Sequence, residues 1–420
     1  MRWCLCALLL LLSSWTTTAF AQTLLTDFNT YTEPSLPTMG AAGSKIVDPT
    51  FGTTILRVTD GNDGAFGRAL YSTYPSVNVN STRGMGNVSS GGQTKAKFWT
   101  LDATNFTVAN GTVPSGMPNM EQFFAVWSGV SADIIYGGGG SCTCLWTYNV
   151  STNVGSKLVE LSGFGGAELN QISMSKDDNI FYGSLSSGGY VVWRRSDSTV
   201  LASSATGTED EGYIDKTGEY FYWTNTSCGN EVRALPGNTL IATLSGNDGL
   251  CHNDRGTRTV VNDRPSASSI ATRSLATPST ITNHMATYFQ QNTQSQHLSW
   301  NQNDESYALI SRHNAYNGTG NVVGAFDNEL VLVAASGDAV KRIAHHRSRT
   351  ATADGTTYGY YDTPFANISP DGQFVAFTSN WGGTTGNNRQ DLYLVKIPVA
   401  APGSLTISGP ITISGGVRIQ

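Results

Sequence analysis

The chain has 420 residues, 46 of them glycine, with 13% charged residues and a formal net charge of −6. It has no basic patch to neutralise phosphates, which excludes nucleic acid as a partner. Long helical periodicity is absent, and the Gly-, Ser-, Thr- and Asn-rich composition is that of a turn-rich, all-β extracellular protein.

The first 21 residues read as a signal peptide. Arg2 gives the positive end, Cys4–Leu12 the apolar core, and Ala19-Phe20-Ala21 a cleavage site before Gln22. The expected location is secreted or periplasmic. The apolar run is too short to span a bilayer, and no later run is longer, so no membrane span is expected after signal removal. Residues 22–52 form a Pro-, Thr- and Gly-rich lead-in. Thr53–Thr59 reads as a strand, followed by Gly61-Asn62-Asp63-Gly64. The same four residues recur at Gly246-Asn247-Asp248-Gly249, after a strand at Thr239–Leu244. Turn chemistry explains both, and each reads as the end of an outer strand.

A three-strand unit then repeats. Ser76–Val79 turns near Asn80-Ser81. Phe123–Trp127 turns near Asp133 into Ile134–Tyr136. Gln171–Met174 turns through Asp177-Asp178 into Ile180–Gly183. Tyr213-Ile214 turns through Asp215–Gly218 into Tyr220–Trp223. Without gaps, Tyr213–Gly218 overlays Cys251–Gly256 at an offset of 38 residues. Leu298–Trp300 turns through Asn303-Asp304-Glu305 into Tyr307–Ser311. In the last copy, Phe365–Ile368 turns through Pro370-Asp371-Gly372 into Phe374–Thr378, followed by Asp391–Ile397. A meander cannot bury both faces alone and needs copies on either side. Seven turns predict a seven-bladed β-propeller over residues 53–397. Thr53–Thr59 has no blade before it, so it is expected to complete the last blade and close the ring, which removes exposed sheet edges. Ser404–Ser408 and Ile411–Ser414 compete for that position. If the N-terminal strand closes the ring, residues 398–420 are a tail.

The stretch Ser369–Phe377, SPDGQFVAF, resembles the repeat of TolB-type (WD-like) β-propellers, a family of scaffolds, gating domains and enzymes. A weaker resemblance is to oligogalacturonate-lyase propellers. Gln294-Ser295-Gln296-His297 resembles the Gln-x-x-His of that family's metal site, although this chain has Ser299 where the family has a second histidine.

Propeller geometry puts the start of each inner strand and the end of the second strand on one face. His297 is thereby expected beside Arg312 and His313, and these three are the candidate catalytic residues. His297 and His313 are also candidate ligands for a divalent metal such as Ca or Mn, and Arg312 suits an anionic group. Glu211, Arg264, Asn380, Trp381 and Arg389 are candidate substrate contacts, with Trp381 suited to stacking on a sugar. His345-His346-Arg347-Ser348-Arg349 reads as a basic lid or a solvated loop. The ungapped overlay places His252 at a turn on the opposite face. Cys4 and Cys6 leave with the signal, and of the remaining four cysteines the favoured bond is Cys228–Cys251, because neighbouring blades bring them together. Cys142 and Cys144, read as one strand face, are too far apart for an easy bond. The expected partner is a polysaccharide, with lyase or hydrolase action on an acidic polymer. The alternative is a non-catalytic scaffold for a cell-surface protein.

Overall fold

The turn signals owe their strength to side-chain bonding. In the last copy Ser369 Oγ accepts the Phe374 N–H at 2.9 Å and donates to Asp371 at 2.6 Å. Ser175 and Asp177 repeat this pair at 2.5 Å. Asp215 and Thr217 form a variant, with Tyr220 N–H bonded to Asp215 at 2.8 Å. Each turn thereby satisfies its own backbone donors and sends the chain back along the sheet.

The computed structural model describes residues 23–398, except 121–123, 226, 246–248, 251, 265–268, 286–293, 315–323, 350–358 and 384–387. The signal peptide and the tail beyond 398 lie outside the described residues. Seven antiparallel sheets are formed, in the order and number expected. Blade 1 runs from Gly67–Arg68 to Thr107–Thr112 and blade 2 from Val126–Trp127 to Val154–Glu160. Blades 3, 4 and 5 begin at Leu169–Met174, Glu211–Ile214 and Asn253–Arg255. Blade 6 begins with Gln294–Ser299 paired to Tyr307–Asn314. Blade 7 comprises Asn367–Ile368, Phe374–Ser379, Asp391–Lys396 and, from the other end of the chain, Thr54–Arg57. The N-terminal strand closes the ring, with Ile55 opposite Val395 and Leu56 opposite Leu394. Lys45–Val47 adds a fifth strand outside it. Among the described residues, no helix is long and apolar enough to cross a membrane.

Strand alternation sends the two faces of each blade into different cores. On blade 7, Ile55, Val375, Phe377 and Val395 join Leu309, Leu330 and Leu332 of blade 6. Leu56, Phe374, Leu392 and Leu394 join Trp99 and Leu101 of blade 1.

Blade 1 departs from expectation. Its inner edge starts at Gly67–Arg68, and Val77 pairs with Gly84 only as an isolated bridge. Between them Ala69–Pro75 leaves the sheet and is buried throughout. The Tyr71 ring reaches Phe124 of blade 2, His297 of blade 6 and Phe365 of blade 7, at 6.2, 5.6 and 5.5 Å between ring centroids. Arg255 of blade 5 donates to the Thr73 carbonyl at 3.2 Å. This segment crosses the middle of the ring, touching blades 2, 5, 6 and 7, and gives the His297 face a floor.

The stretch His345–Arg349, read as a solvated loop or a basic lid, is instead the seat of the lead-in. His345, His346 and Arg347 are fully buried. Asp48 accepts the His345 backbone N–H at 3.0 Å. Arg347 donates to the Pro34 carbonyl at 2.8 Å, and Arg349 pairs with Glu33 at 2.9 Å. Arg342 is buried between Glu329, Asp27 and the Asn29 carbonyl.

The cysteine reading is corrected in one respect. Cys142 and Cys144 are bonded to each other, with an S–S distance of 2.07 Å. Cys142 lies in the turn before the strand Cys144–Asn149, not within it, so the Cα atoms come to 5.1 Å. Cys228 is disulfide-bonded as well, and its expected partner Cys251 lies outside the described residues.

Candidate active site at the channel mouth

Each of blades 4 to 7 delivers a chemically distinct side chain to the floor laid by Tyr71. Glu211 opens the inner strand of blade 4. His252 immediately precedes the inner strand of blade 5. His297 lies within that of blade 6, and Phe365 just before that of blade 7. Phe365 holds a positive φ of 43°, a conformation that a bulky residue rarely adopts and that here sets its ring 4.7 Å from His297.

His252 sits on this face, not on the opposite one. Asp215 N–H bonds to the Tyr220 carbonyl and Gly256 N–H to that of Thr259, so Asp215 and Gly256 hold equivalent turn positions. The ungapped overlay matched Gly218 to Gly256 and ran three residues out of register. Corrected, His252 moves from the turn to the strand start. Its Nδ1 lies 3.4 Å from Asp263, next to last in the second strand of the same blade, Thr259–Arg264, and its ring is 5.0 Å from that of His297. Burial alone would depress the His252 pKa. Asp263, with Glu211 behind it, more than offsets this, and the imidazole titrates above its ordinary value.

His297 behaves in the opposite way. It is buried, and among the described residues neither ring nitrogen has a hydrogen-bond partner. Desolvation, reinforced by His252 and His313, holds its pKa well below the ordinary range, so the ring is neutral. An unsatisfied buried imidazole is costly, which marks His297 as a group waiting for a ligand atom. Glu211 has its carboxyl pushed upward, first by desolvation. Tyr213 donates to it at 2.7 Å, and Tyr71 links it to Tyr360. Tyr360 and Tyr361, at the edge of this cluster, are 55% and 44% exposed. The arrangement brings together a histidine–carboxylate pair, a neutral imidazole and a carboxyl whose pKa is raised, groups of the kind that acid–base chemistry uses.

The other expected residues are dispersed. His313 stacks against His297 at 5.4 Å, and burial lowers its pKa to about 3. Arg312, on the other side of its strand, faces Asp327 in a buried ion pair at 3.5 Å, and its carbonyl bonds to His346. Trp381 stacks on Tyr393 at 4.9 Å and donates to the Pro37 carbonyl, so it packs against the lead-in, away from His297. Asn380 is bonded to the Arg349 backbone and Asn388. Arg389 clamps Asp391 and the carbonyls of Asp60 and Gly64 at the closure strand. The Arg264 side chain lies outside the described residues. Of the eight candidates, Glu211, His297 and His313 share the site. His252, Asp263, Tyr71 and Tyr360 are the members that sequence reasoning missed.

The fold defines the chain as a seven-bladed β-propeller of the architecture seen in oligogalacturonate lyases. The oligogalacturonate lyase of Vibrio parahaemolyticus superposes with a TM-score of 0.61, at 11% identity, over 84% of this chain and 96% of that one. An oligogalacturonate lyase in complex with manganese superposes at 0.58, with 14% identity, over 86% and 99%. No family model matches the sequence, and no curated protein matches it.

The manganese of that relative raises the question of a metal here, and the residues present do not fit one. Among the described residues no group of three His, Cys, Asp or Glu side chains is placed to hold an ion. The rings of Tyr71, Tyr360 and Phe365 pack around His297, and the neighbouring His252 turns its Nδ1 to Asp263. Ser299 Oγ is already bonded to Asn301 and the Ile368 N–H.

Proposed function

We propose that this protein cleaves an acidic oligosaccharide of the galacturonate type by β-elimination at the channel mouth, with His252 as the base. The observation that carries this is the His252–Asp263 pair set beside the unpartnered, neutral His297 and the protonation-prone Glu211. Asp263 orients Nδ1, leaving Nε2 of His252 to take the proton from the carbon next to the uronate carboxylate. An N–H of neutral His297 donates to the carboxylate as charge builds on it. The bond from the neighbouring carbon to the glycosidic oxygen breaks, and the leaving oxygen takes a proton from Glu211 or the Tyr71–Tyr360 pair. The products are a shortened oligomer and a 4,5-unsaturated uronate. The similarity in architecture to oligogalacturonate lyases supports this substrate class. We further propose that the protein is exported, in keeping with its amino-terminal segment and its disulfides.

The test is incubation of the signal-free protein with galacturonate oligomers, following the ultraviolet absorbance of the conjugated product. Wild type is expected to turn over, and His252→Ala to lose at least about 100-fold in kcat/KM with an unchanged melting temperature. Full activity in His252→Ala overturns the assignment. Absence of product from any uronate polymer returns the protein to the scaffold reading, with a protein ligand to be sought by pull-down.

A further inference from the structure

Beside the acid–base cluster, on the same face, blade 1 holds an arginine that the chemistry above does not use. Arg68 ends the short inner strand Gly67–Arg68. Its guanidinium lies between two aromatic rings, 3.9 Å from the centroid of Phe66 and 4.2 Å from that of Tyr361. Nε and Nη2 both donate to Gln390 Oε1, at 3.2 and 2.8 Å. No carboxylate pairs with it among the described residues. The nearest acid in its field, Asp362, is bonded instead to Asn388 and Gln390. Gln390 therefore stands between the arginine and the aspartate, accepting from one and donating to the other. Desolvation beneath the rings pulls the Arg68 pKa down to about 10, which leaves it charged at neutral pH.

This arrangement is rigid and, among the described residues, leaves one edge unused. The two rings fix the guanidinium plane, and Gln390 takes the Nε side. The remaining Nη1–Nη2 fork keeps the spacing that matches a carboxylate with two parallel hydrogen bonds. The half-exposed position of Arg68 and the exposed rings of Tyr360 and Tyr361 leave room for a ligand. The aromatic path from Arg68 to the reacting cluster is short. Tyr361 is 5.7 Å from Tyr360 and 6.4 Å from Phe365, and both of those rings contact His297.

We infer that Arg68, clamped by Phe66, Tyr361 and Gln390, forms a subsite for the carboxylate of a second uronate residue, next to the one at His297. The inference rests on the uronate reading above and adds the determinant that selects an acidic neighbouring sugar. The ring of that sugar lies along Tyr361, and its carboxylate meets the free fork.

The experiment is calorimetric titration of the full signal-free chain with trigalacturonate and with its methyl-esterified form. Wild type, Arg68→Met and Arg68→Lys are compared, each checked by its melting temperature. Loss of a charge-assisted pair predicts that Arg68→Met weakens trigalacturonate about 10- to 100-fold and leaves the ester unchanged. Arg68→Lys, which keeps the charge but not the fork, falls between. Equal affinities in wild type and Arg68→Met overturn the subsite while leaving the elimination reading standing. Binding with the predicted Arg68 dependence but without turnover supports the subsite and overturns the elimination chemistry. Failure of wild type to bind either oligomer overturns both.

Discussion

Replacing Asp263 by Asn tests the pairing on which the base depends. The His252–Asp263 separation of 3.4 Å corresponds to an attraction of roughly 1 kcal/mol at the dielectric of water and roughly 5 kcal/mol at that of a protein surface. His252 is about one-third exposed, so solvent screening favours the low end of that range. The sign follows from the direction of the shift. Asp263 stabilises the imidazolium, so its removal lets His252 lose its proton at lower pH. The acid limb of the kcat/KM profile is expected to move to lower pH, and the plateau to fall because the weaker base is no longer oriented. The midpoint of the His252 ring resonance, followed by NMR titration, should move to lower pH as well with no substrate present. A midpoint that stays in place in Asp263→Asn refutes the pairing, whatever the kinetics do.

Three further outcomes follow from the fold and the site. Ile55 is fully buried in the closure strand, so Ile55→Ala should destabilise the propeller by about 2–5 kcal/mol, read from denaturant unfolding. A loss below about 1 kcal/mol would mean the strand does not hold the ring. Asp48 is buried, and desolvation would raise its pKa, but bonds from His345 and Phe51 hold it down to about 2. Its contribution, about 2 kcal/mol, is complete above the unfolded carboxylate value and is lost as pH falls toward 2. Asp48→Asn should therefore show a shallower fall in melting temperature between neutral pH and pH 2 than wild type, and equal slopes would contradict this. Prolonged chelation should leave both melting temperature and turnover unchanged, and a drop in either would restore a metal role.

The sequence carries the fold better than the site, for physical reasons that differ by residue. Ser369-Pro370-Asp371-Gly372 and Ser175–Asp177 announce their turns because the bonds that make them are local. Ring closure was also legible, since Thr53–Thr59 lacks a preceding blade and an unpaired edge must find a partner. Trp381, Arg389 and Arg349 misled because their partners are remote in sequence. The Trp381 indole bonds to Pro37, Arg389 to Gly64 and Arg349 to Glu33. Side-chain type suggested a sugar platform and a basic lid, while tertiary packing spends these groups on seating the lead-in and closure strand. His252 was hidden by a turn-length difference between blades 4 and 5, too small to disturb the repeat but enough to move a side chain from one face to the other. The Ala69–Pro75 plug gave only a weak signal, in the pair of tyrosines Tyr71 and Tyr74 within a stretch that no strand pattern claims.

The central claim is that the channel mouth breaks a uronate chain by elimination, using its own side chains. Mass analysis of products from trigalacturonate, incubated with the chelator-treated protein, addresses it most directly. The account predicts an unsaturated oligomer, lighter by one water than the corresponding hydrolysis product, formed by wild type and absent with His252→Ala. A saturated product, or unsaturated product that forms only after a divalent metal is restored, would contradict it.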